Sequence, residues 1–534
     1  MDAKEKCGIA AVAQLDNAEP CLFDNGRAEN AAALVPRILL DLQHRGELSA
    51  GITTYDPNRA TLLKTYADIG AVSQVFQLFH PTRGPALAEE YAGVSGIGHT
   101  RYATCGEDDR SYAQPFERPH GRPWKWFSIA FNGNLANFAT LRKRITQHGY
   151  HLVRNADTEA MLHFFAHAMR GLRRPAIPAV FAGAAKEFDG AYNIAFINAQ
   201  GEVAVARDPL GFRPLCYAVS GNMFVAASES VALSNLGLHD IRSVEPGTVV
   251  YVSDGKLHTR RYADSPRFAR CFFEWVYFAN AASVIDGRSV YLARANLGRE
   301  LARMETVTVD KDTLVVPVPD CAKAAADAMA YHLGAPSVEG LLRNRYVGRT
   351  FIQGAGRMEK ARRKYAPLPE VIRGKRIILV EDSIVRLTTL RLVVRQMRDF
   401  GAREIHVRST APPILAPCFY GIDMSTIGEL YAPKFLAEPC EDELPPEVSS
   451  AMAADMGADS LRYLPVNRVA KCVGFPESEL CLACLNRQYP TPAGCAQYEA
   501  AVKNWKQGIA GRTYESDAPP AEPQPAPEPA PTVG

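Results

Sequence analysis

The chain has no uninterrupted apolar run long enough to cross a bilayer as a helix. Its first residues, MDAKEKCGIA, are too charged for a secretory signal and contain no apolar central region. It also lacks a charge bias. The formal net charge is only +2, whereas a dedicated nucleic-acid binder would carry a basic patch or stripe. Cysteine is sparse, with 12 in 534 residues. That excludes a small secreted disulfide scaffold and leads us to expect a reduced, cytoplasmic setting with no membrane and no nucleic-acid partner.

What is present is the composition of a globular protein: 47% apolar and 22% charged residues. The length suits roughly three domain-sized units, or two large ones. From about Glu515 the sequence turns rich in Pro, Ala and Glu. Such a tail buries too little apolar surface to offset its ordering entropy, and 513–534 is expected to be disordered.

The first half reads as strands with turn punctuation. WFSIAFNGNL reads as a strand ending in an Asn132-Gly133 turn, and GTVVYVSDGKLHTRRY as a hairpin about Asp254-Gly255. VAVARDPLGFRPLCYAV reads as two short apolar segments about a Pro-Gly turn. Helical patterns interrupt at AAALVPRILLDLQHRG and DTEAMLHFFAHAMRGL. After about Arg261 the plan changes. DTLVVPVPDCAKAAADAMAYHLG and RIILVEDSIVRLTTLRLVVRQMRDFGAREIHVRST each read as strand, loop and helix, the second followed by another strand. Leu390, Val393, Val394 and Met397 keep helical spacing, and Gly401 ends the helix. Units of this kind build parallel sheets whose ligands sit beyond the carboxyl ends of the strands. Both the Pro319–Cys321 loop and the Glu381–Thr389 loop fall there.

Cys7 would become the first residue if MDAKEK were removed. A terminal thiol has its own α-amine as a base, because that amine titrates near neutrality. Taken alone, Cys7 is as readily an ordinary buried thiol. Its company is more specific: CGIAAV, LQHRGELSAGI, GIGHTRYAT, QPF, FNGNL, DTEAM, FDGAYNIAF and ARDPLGFRPL occur in this order. Together these segments resemble the glutaminase domain of the N-terminal-nucleophile amidotransferases. From Cys7 to about Pro490 the chain resembles the amidophosphoribosyltransferases (glutamine phosphoribosylpyrophosphate amidotransferases), as a divergent member.

The resemblance implies that Cys7 attacks the glutamine side-chain amide. Arg101 would hold the α-carboxylate, which a guanidinium can grip with two parallel hydrogen bonds. Asn132 and Gly133 would supply the oxyanion donors, and Asp157 would pair with the α-ammonium. Taken singly, Arg101 could be a surface ion pair, Asn132-Gly133 a hairpin turn and Asp157 a helix cap. The family's Gln-Glu is Glu47-Leu48 here.

Cys481 and Cys484 form a C-x-x-C, with Cys271 and Cys418 far upstream. Four thiolates suit a zinc ion or an iron–sulfur cluster, and spacing alone allows no metal at all. One branch of the family carries a [4Fe–4S] cluster at these motif positions, which implies a structural cluster on Cys271, Cys418, Cys481 and Cys484. Cys472 and Cys495 match nothing in that pattern.

GKRIILVEDSIVRLTTLRL has the layout of a phosphate-and-ribose cradle, a strand, two acids and a turn opening a helix. Read without the family, Asp382, Thr388 or Thr389 could equally be a helix cap. The resemblance implies a type I phosphoribosyltransferase domain. Glu381 and Asp382 would bind the ribose and orient magnesium, while Ser383, Arg386, Thr388 and Thr389 would wrap the phosphate. Here the chain departs from the family. DDSIVRGTT is EDSIVRLTT, placing Leu387 where the backbone approaches phosphate and where a positive φ would be strained. VPDSG is VPDCA, so Cys321 stands in a magnesium-side position as a poorer ligand than a hydroxyl. KLNP is KYAP at Lys364–Pro367, FARPDS is FANAAS at Phe278–Ser283, and NRYVGRTFI at Asn344–Ile352 is intact.

The expected architecture is an αββα sandwich of the N-terminal-nucleophile hydrolase type, followed by a parallel-sheet phosphoribosyltransferase domain. The expected boundaries are a removed leader at 1–6, units at 7–262 and 263–470, a cysteine-bearing segment at 471–512 and the tail. The resemblance implies glutamine hydrolysis coupled to amination of phosphoribosyl pyrophosphate, the entry step of purine biosynthesis, in a homo-oligomer. Two alternatives stay open: a paralogue that aminates another acceptor, and a regulatory protein with an impaired phosphoribosyl site.

Overall fold

The computed structural model of the chain describes residues 7–16, 30–102, 109–344, 364–509 and 511–513. The leader, the tail from 514 and most of NRYVGRTFI lie outside the described residues.

Two antiparallel sheets make the first unit. One has seven strands, with Gly8–Gln14 at its centre between Met223–Ala227 and Ser95–Arg101. The other has six and is centred on Gly190–Asn198, between Val203–Arg207 and Phe127–Leu135. Strand alternation sorts the core. Ile9, Ala11 and Ala13 pack against Ala130, Ala195 and Val205 between the sheets. Ala10 and Val12 face outward onto Val35, Ile38 and Leu39 of the helix Leu34–Asp41. On the far side Phe127, Ile129 and Phe196 meet Met161 and Phe165 of Asp157–Ala168 and Phe181 of Ile177–Ala185. The result is the four-layered αββα sandwich the sequence led us to expect.

Two local readings change. Asn132 and Gly133 do not turn the chain; they lie inside Phe127–Leu135, opposite Asn193 and Tyr192. A Cβ at Gly133 would sit 1.9 Å from the Ala191 carbonyl oxygen, so glycine is there for close backbone approach. The strands Val203–Arg207 and Cys216–Ser220 belong to different sheets, so the Pro-Gly segment between them crosses the sandwich. The Asp254-Gly255 hairpin does form, with both residues at positive φ, 49° and 68°.

The second unit carries a four-stranded parallel sheet in the order Thr313–Pro317, Arg376–Glu381, Glu404–Ser409, Ser460–Tyr463. Its strands are buried on both faces, hence the unbroken run Ile377-Ile378-Leu379-Val380. Ile378 and Val380 face the helices Val290–Arg303 and Lys323–Leu333, while Ile377 and Leu379 face Thr388–Asp399. The C-terminal segment touches both units. Leu480–Cys481 pairs with Arg270–Cys271, and Gln497 of Pro492–Lys506 donates to the Ala136 carbonyl at 3.0 Å. None of the described helices is long and apolar enough to cross a membrane.

Candidate active sites

Cys7 precedes the central strand Gly8–Gln14, whose Gly8 lies opposite Thr100. That register sets the thiol beside Arg101, at the end of its own strand. Gly46 allows the approach, since a Cβ there would lie 2.5 Å from the Arg101 carbonyl carbon. Cys7, Arg101, Tyr102, Tyr112, Gln114, Gly133 and Asp157 line one small cavity of about 20 Å³. That is room for about one water.

The Cys7 thiol donates to the Tyr102 carbonyl at 3.6 Å. Burial pushes its pKa up to about 11, against the pull of that bond and of Arg101. Asp157 opens the helix Asp157–Ala168 and accepts from Leu135 N at 3.3 Å and Thr158 N at 2.9 Å. Burial raises its carboxyl to about 6, against those bonds and Arg101. The Arg101 guanidinium lies over the Tyr112 ring, 5.5 Å from its centroid. Gln114 braces the wall, accepting from Phe131 N and donating to Thr158 Oγ1, both at 2.9 Å. Asn132, wholly buried, bonds to Ser228 Oγ at 3.2 Å.

Sequence reasoning gave no role to Arg45, although it stands in the quoted HRG. Its guanidinium is buried and donates from Nε to the Cys7 carbonyl at 3.4 Å. Nη2 bonds Glu274 Oε1 at 2.9 Å in the second unit, and Nη1 bonds Glu229. Glu229 in turn accepts from Asn280 N at 2.8 Å and Ser283 Oγ at 2.7 Å. Burial opposes its charge, but His44 and Arg45 outweigh that and hold its carboxyl well below the usual range. The FANAAS segment is therefore tied to the nucleophile's surroundings through a buried arginine.

In the second unit Glu381, Asp382 and Ser383 are buried at the end of Arg376–Glu381. Ser383 Oγ donates to Asp382 Oδ1 at 2.7 Å, and Asp382 Oδ2 has no hydrogen-bond partner among the described residues. Burial raises the Asp382 carboxyl. The Cys321 thiol faces both acids and is pushed up to about 12, first by burial and then by Asp382. Leu387 is the residue before the helix Thr388–Asp399 and has φ +63°, so the expected positive φ is real. No side chain caps that helix start. Arg386 is engaged at 2.8 Å with Glu429, which braces the neighbouring segment.

Three segments bring the four motif cysteines together. Cys271 and Cys481 are register partners, Leu415 and Ala416 donate to the Cys484 carbonyl at 2.8 and 3.1 Å, and Tyr420 N donates to the Cys418 sulfur at 3.4 Å. Burial raises all four thiols, Cys418 to about 11, and the charges of neighbouring cysteines add to this in Cys418, Cys481 and Cys484. Among the described residues, no group of three or more His, Cys, Asp or Glu side chains is arranged to hold a metal ion.

Residues 99–235 match the glutamine amidotransferase domain family. The chain is 36% identical over 508 residues to the amidophosphoribosyltransferase of Methanothermobacter thermautotrophicus, covering 93% of this chain and 98% of that one. It is 35% identical over 484 residues to that of Bacillus subtilis, covering 89% and 94%. The solved structure of the B. subtilis glutamine phosphoribosylpyrophosphate amidotransferase, complexed with ADP and GMP, superposes with a TM-score of 0.77 at 32% identity, covering 91% of this chain and 97% of that one. With both halves matched, the chain belongs to the amidophosphoribosyltransferase family, whose members are at once glutamine amidotransferases and phosphoribosyltransferases.

Proposed function

We propose that Cys7 is the nucleophile of glutamine hydrolysis and that the ammonia released displaces pyrophosphate from phosphoribosyl pyrophosphate at the Glu381–Thr389 loop. The products are phosphoribosylamine, glutamate and pyrophosphate. One observation carries the first half: Cys7, Arg101, Gly133 and Asp157 line a single cavity. Arg101 and Asp157 bind the carboxylate and ammonium of glutamine, which sets its side-chain amide against the thiol. A thiol raised to about 11 is protonated at neutral pH and needs a base. Asp157 is already committed to the ammonium, so the α-amine freed by removal of 1–6 is the base this reading requires. Attack forms a tetrahedral oxyanion stabilised by Gly133 N–H and the Asn132 amide, and its collapse expels ammonia and leaves a thioester that water hydrolyses.

At the second site Glu381 and Asp382 hold the ribose hydroxyls and Ser383, Thr388 and Thr389 the phosphate, with the helix dipole favouring the anion. Asp382 Oδ2, buried without a hydrogen-bond partner among the described residues, fits a cation. Glu381 and Asp382 would hold magnesium, which would neutralise pyrophosphate charge. The protonated Cys321 thiol beside them is a poor donor to so hard an ion.

We infer that Cys271, Cys418, Cys481 and Cys484 hold a [4Fe–4S] cluster, a reading supported by the influence these four thiols exert on one another. When bound, the cluster supplies a covalent tie between Cys271, Cys418 and the C-terminal Cys481 and Cys484. Every described cysteine is a free thiol, which supports a reducing, cytoplasmic location. A homo-oligomer is the assembly we expect.

The test is an anaerobic preparation assayed for glutamate with and without phosphoribosyl pyrophosphate and magnesium. Glutamate release that rises with that substrate, with matching pyrophosphate, is expected. Release indifferent to it would sink the proposed acceptor.

A further inference from the structure

Asn132 leans on a buried serine that lies outside both the motifs and the cavity lining. Ser228 is wholly buried, directly after the strand Met223–Ala227 that flanks the nucleophile strand. Its hydroxyl oxygen accepts the Ile9 N–H at 2.9 Å, two residues from Cys7, and lies 3.2 Å from the Asn132 amide. With the amide nitrogen toward Ser228, that oxygen accepts twice and Asn132 Oδ1 is buried with no partner among the described residues. A buried polar atom left unpaired is destabilising.

The two ends of an amide are nearly isosteric, so the hydrogen-bond network decides which way it faces. Turning the Asn132 amide over gives the Ser228 hydroxyl proton an acceptor and leaves a donor, not an acceptor, open at the other end. The Ser228 hydroxyl then donates to Oδ1 and still accepts from Ile9. The amide N–H group takes the position where no partner stands among the described residues, and it can meet a substrate oxygen there.

We propose that Ser228 is a positioning residue for glutamine hydrolysis, locking the Asn132 amide with its nitrogen toward the developing oxyanion. This rests on the reading of Asn132 as an oxyanion donor. It adds a residue that acts through Asn132, not on glutamine itself. Without the hydroxyl the amide can turn over, and its oxygen would then repel the oxyanion it should stabilise. The effect falls on the transition state, so kcat drops while the KM for glutamine, set by Arg101 and Asp157, stays.

The experiment compares Ser228→Ala, Asn132→Ala, the double variant and Ser228→Cys as full-length, anaerobically purified proteins. Ammonia-driven synthesis, which needs no oxyanion at Cys7, checks that each is folded. Ser228→Ala is expected to lower kcat for glutamine hydrolysis roughly 10- to 100-fold, with KM within about twofold. Ser228→Cys, a weak donor of similar shape, recovers part of that loss. The double variant is expected to be no slower than Asn132→Ala alone. Multiplicative losses would show Ser228 acting through Ile9 instead and would overturn the proposal, as would full activity of Ser228→Ala beside an impaired Asn132→Ala. A fully active Asn132→Ala would instead remove the oxyanion reading beneath it.

Discussion

Asn134 Nδ2 donates to the Phe419 carbonyl at 3.0 Å in a fully buried hydrogen bond. One strand residue beyond Gly133 is thereby fastened to the loop that follows Cys418. Gly421 completes the contact, since a Cβ there would lie 3.2 Å from the Gly133 carbonyl and from Arg213 Nη2. Gly421 also has φ +95°, where a side chain is strained. Gly421→Ala should therefore cost about 1 kcal/mol of stability and push the Gly133 peptide out of line. Glutamine hydrolysis should fall by about tenfold in kcat, with a thermal midpoint only a few degrees lower. Unchanged kinetics would mean that the loop merely packs.

Arg45 links the halves more directly, because its buried guanidinium serves Cys7, Glu229 and Glu274 at once. Lysine offers a point charge and cannot span two carboxylates in that fork geometry. Arg45→Lys should take one charged hydrogen-bond partner from at least one of them, although Glu229 keeps His44 and Ser283 and Glu274 keeps Arg213. We expect a loss of about 2 kcal/mol, the scale of a hydrogen bond to a charged group, read as a fall in urea midpoint. Glutamine turnover should slow with it, as the Cys7 carbonyl loses its donor.

The sheets and helices were legible because their periods are strong: the alternation of Ile9 to Ala13 and the unbroken apolar run at Ile377–Val380 each dictate an environment. The Asn132-Gly133 turn was misread because that dipeptide is the strongest local hairpin signal. It is overridden by a tertiary demand, the Ala191 carbonyl at 1.9 Å from any Cβ. Arg45, Glu229 and Ser228 were illegible for a related reason. Their meaning lies in partners such as Glu274 and Asn132, far away in the chain, and no local spacing encodes those pairs.

Leu387 yields a prediction of unusual sign. It is buried among Ile384, Leu390 and Tyr431, so shortening it should destabilise the second unit. Yet it also holds φ +63°, a conformation alanine resists by about 1 kcal/mol and glycine does not. Leu387→Gly should therefore be more stable than Leu387→Ala, reversing the usual order at a buried leucine. Thermal midpoints of the two variants decide it. Leu387→Gly should also lower the KM for phosphoribosyl pyrophosphate, because the backbone can then close on the phosphate.

Asp157 sets the expected pH dependence. Burial raises its carboxyl to about 6, above the roughly 3.9 of an unfolded chain. The folded state then holds the extra proton between those values, so this residue's contribution to stability falls as pH rises through that window and levels off above it. Activity runs the other way, because only the ionised carboxylate can pair with the ammonium of glutamine. The kcat/KM for glutamine should drop tenfold per pH unit below about 6, mainly through KM, while ammonia-driven synthesis keeps its own profile. Asp157→Asn should abolish that acid limb, raise the KM for glutamine, and flatten the stability curve between pH 4 and 6. An acid limb that survives Asp157→Asn would assign the titration to another group and remove Asp157 from ammonium binding.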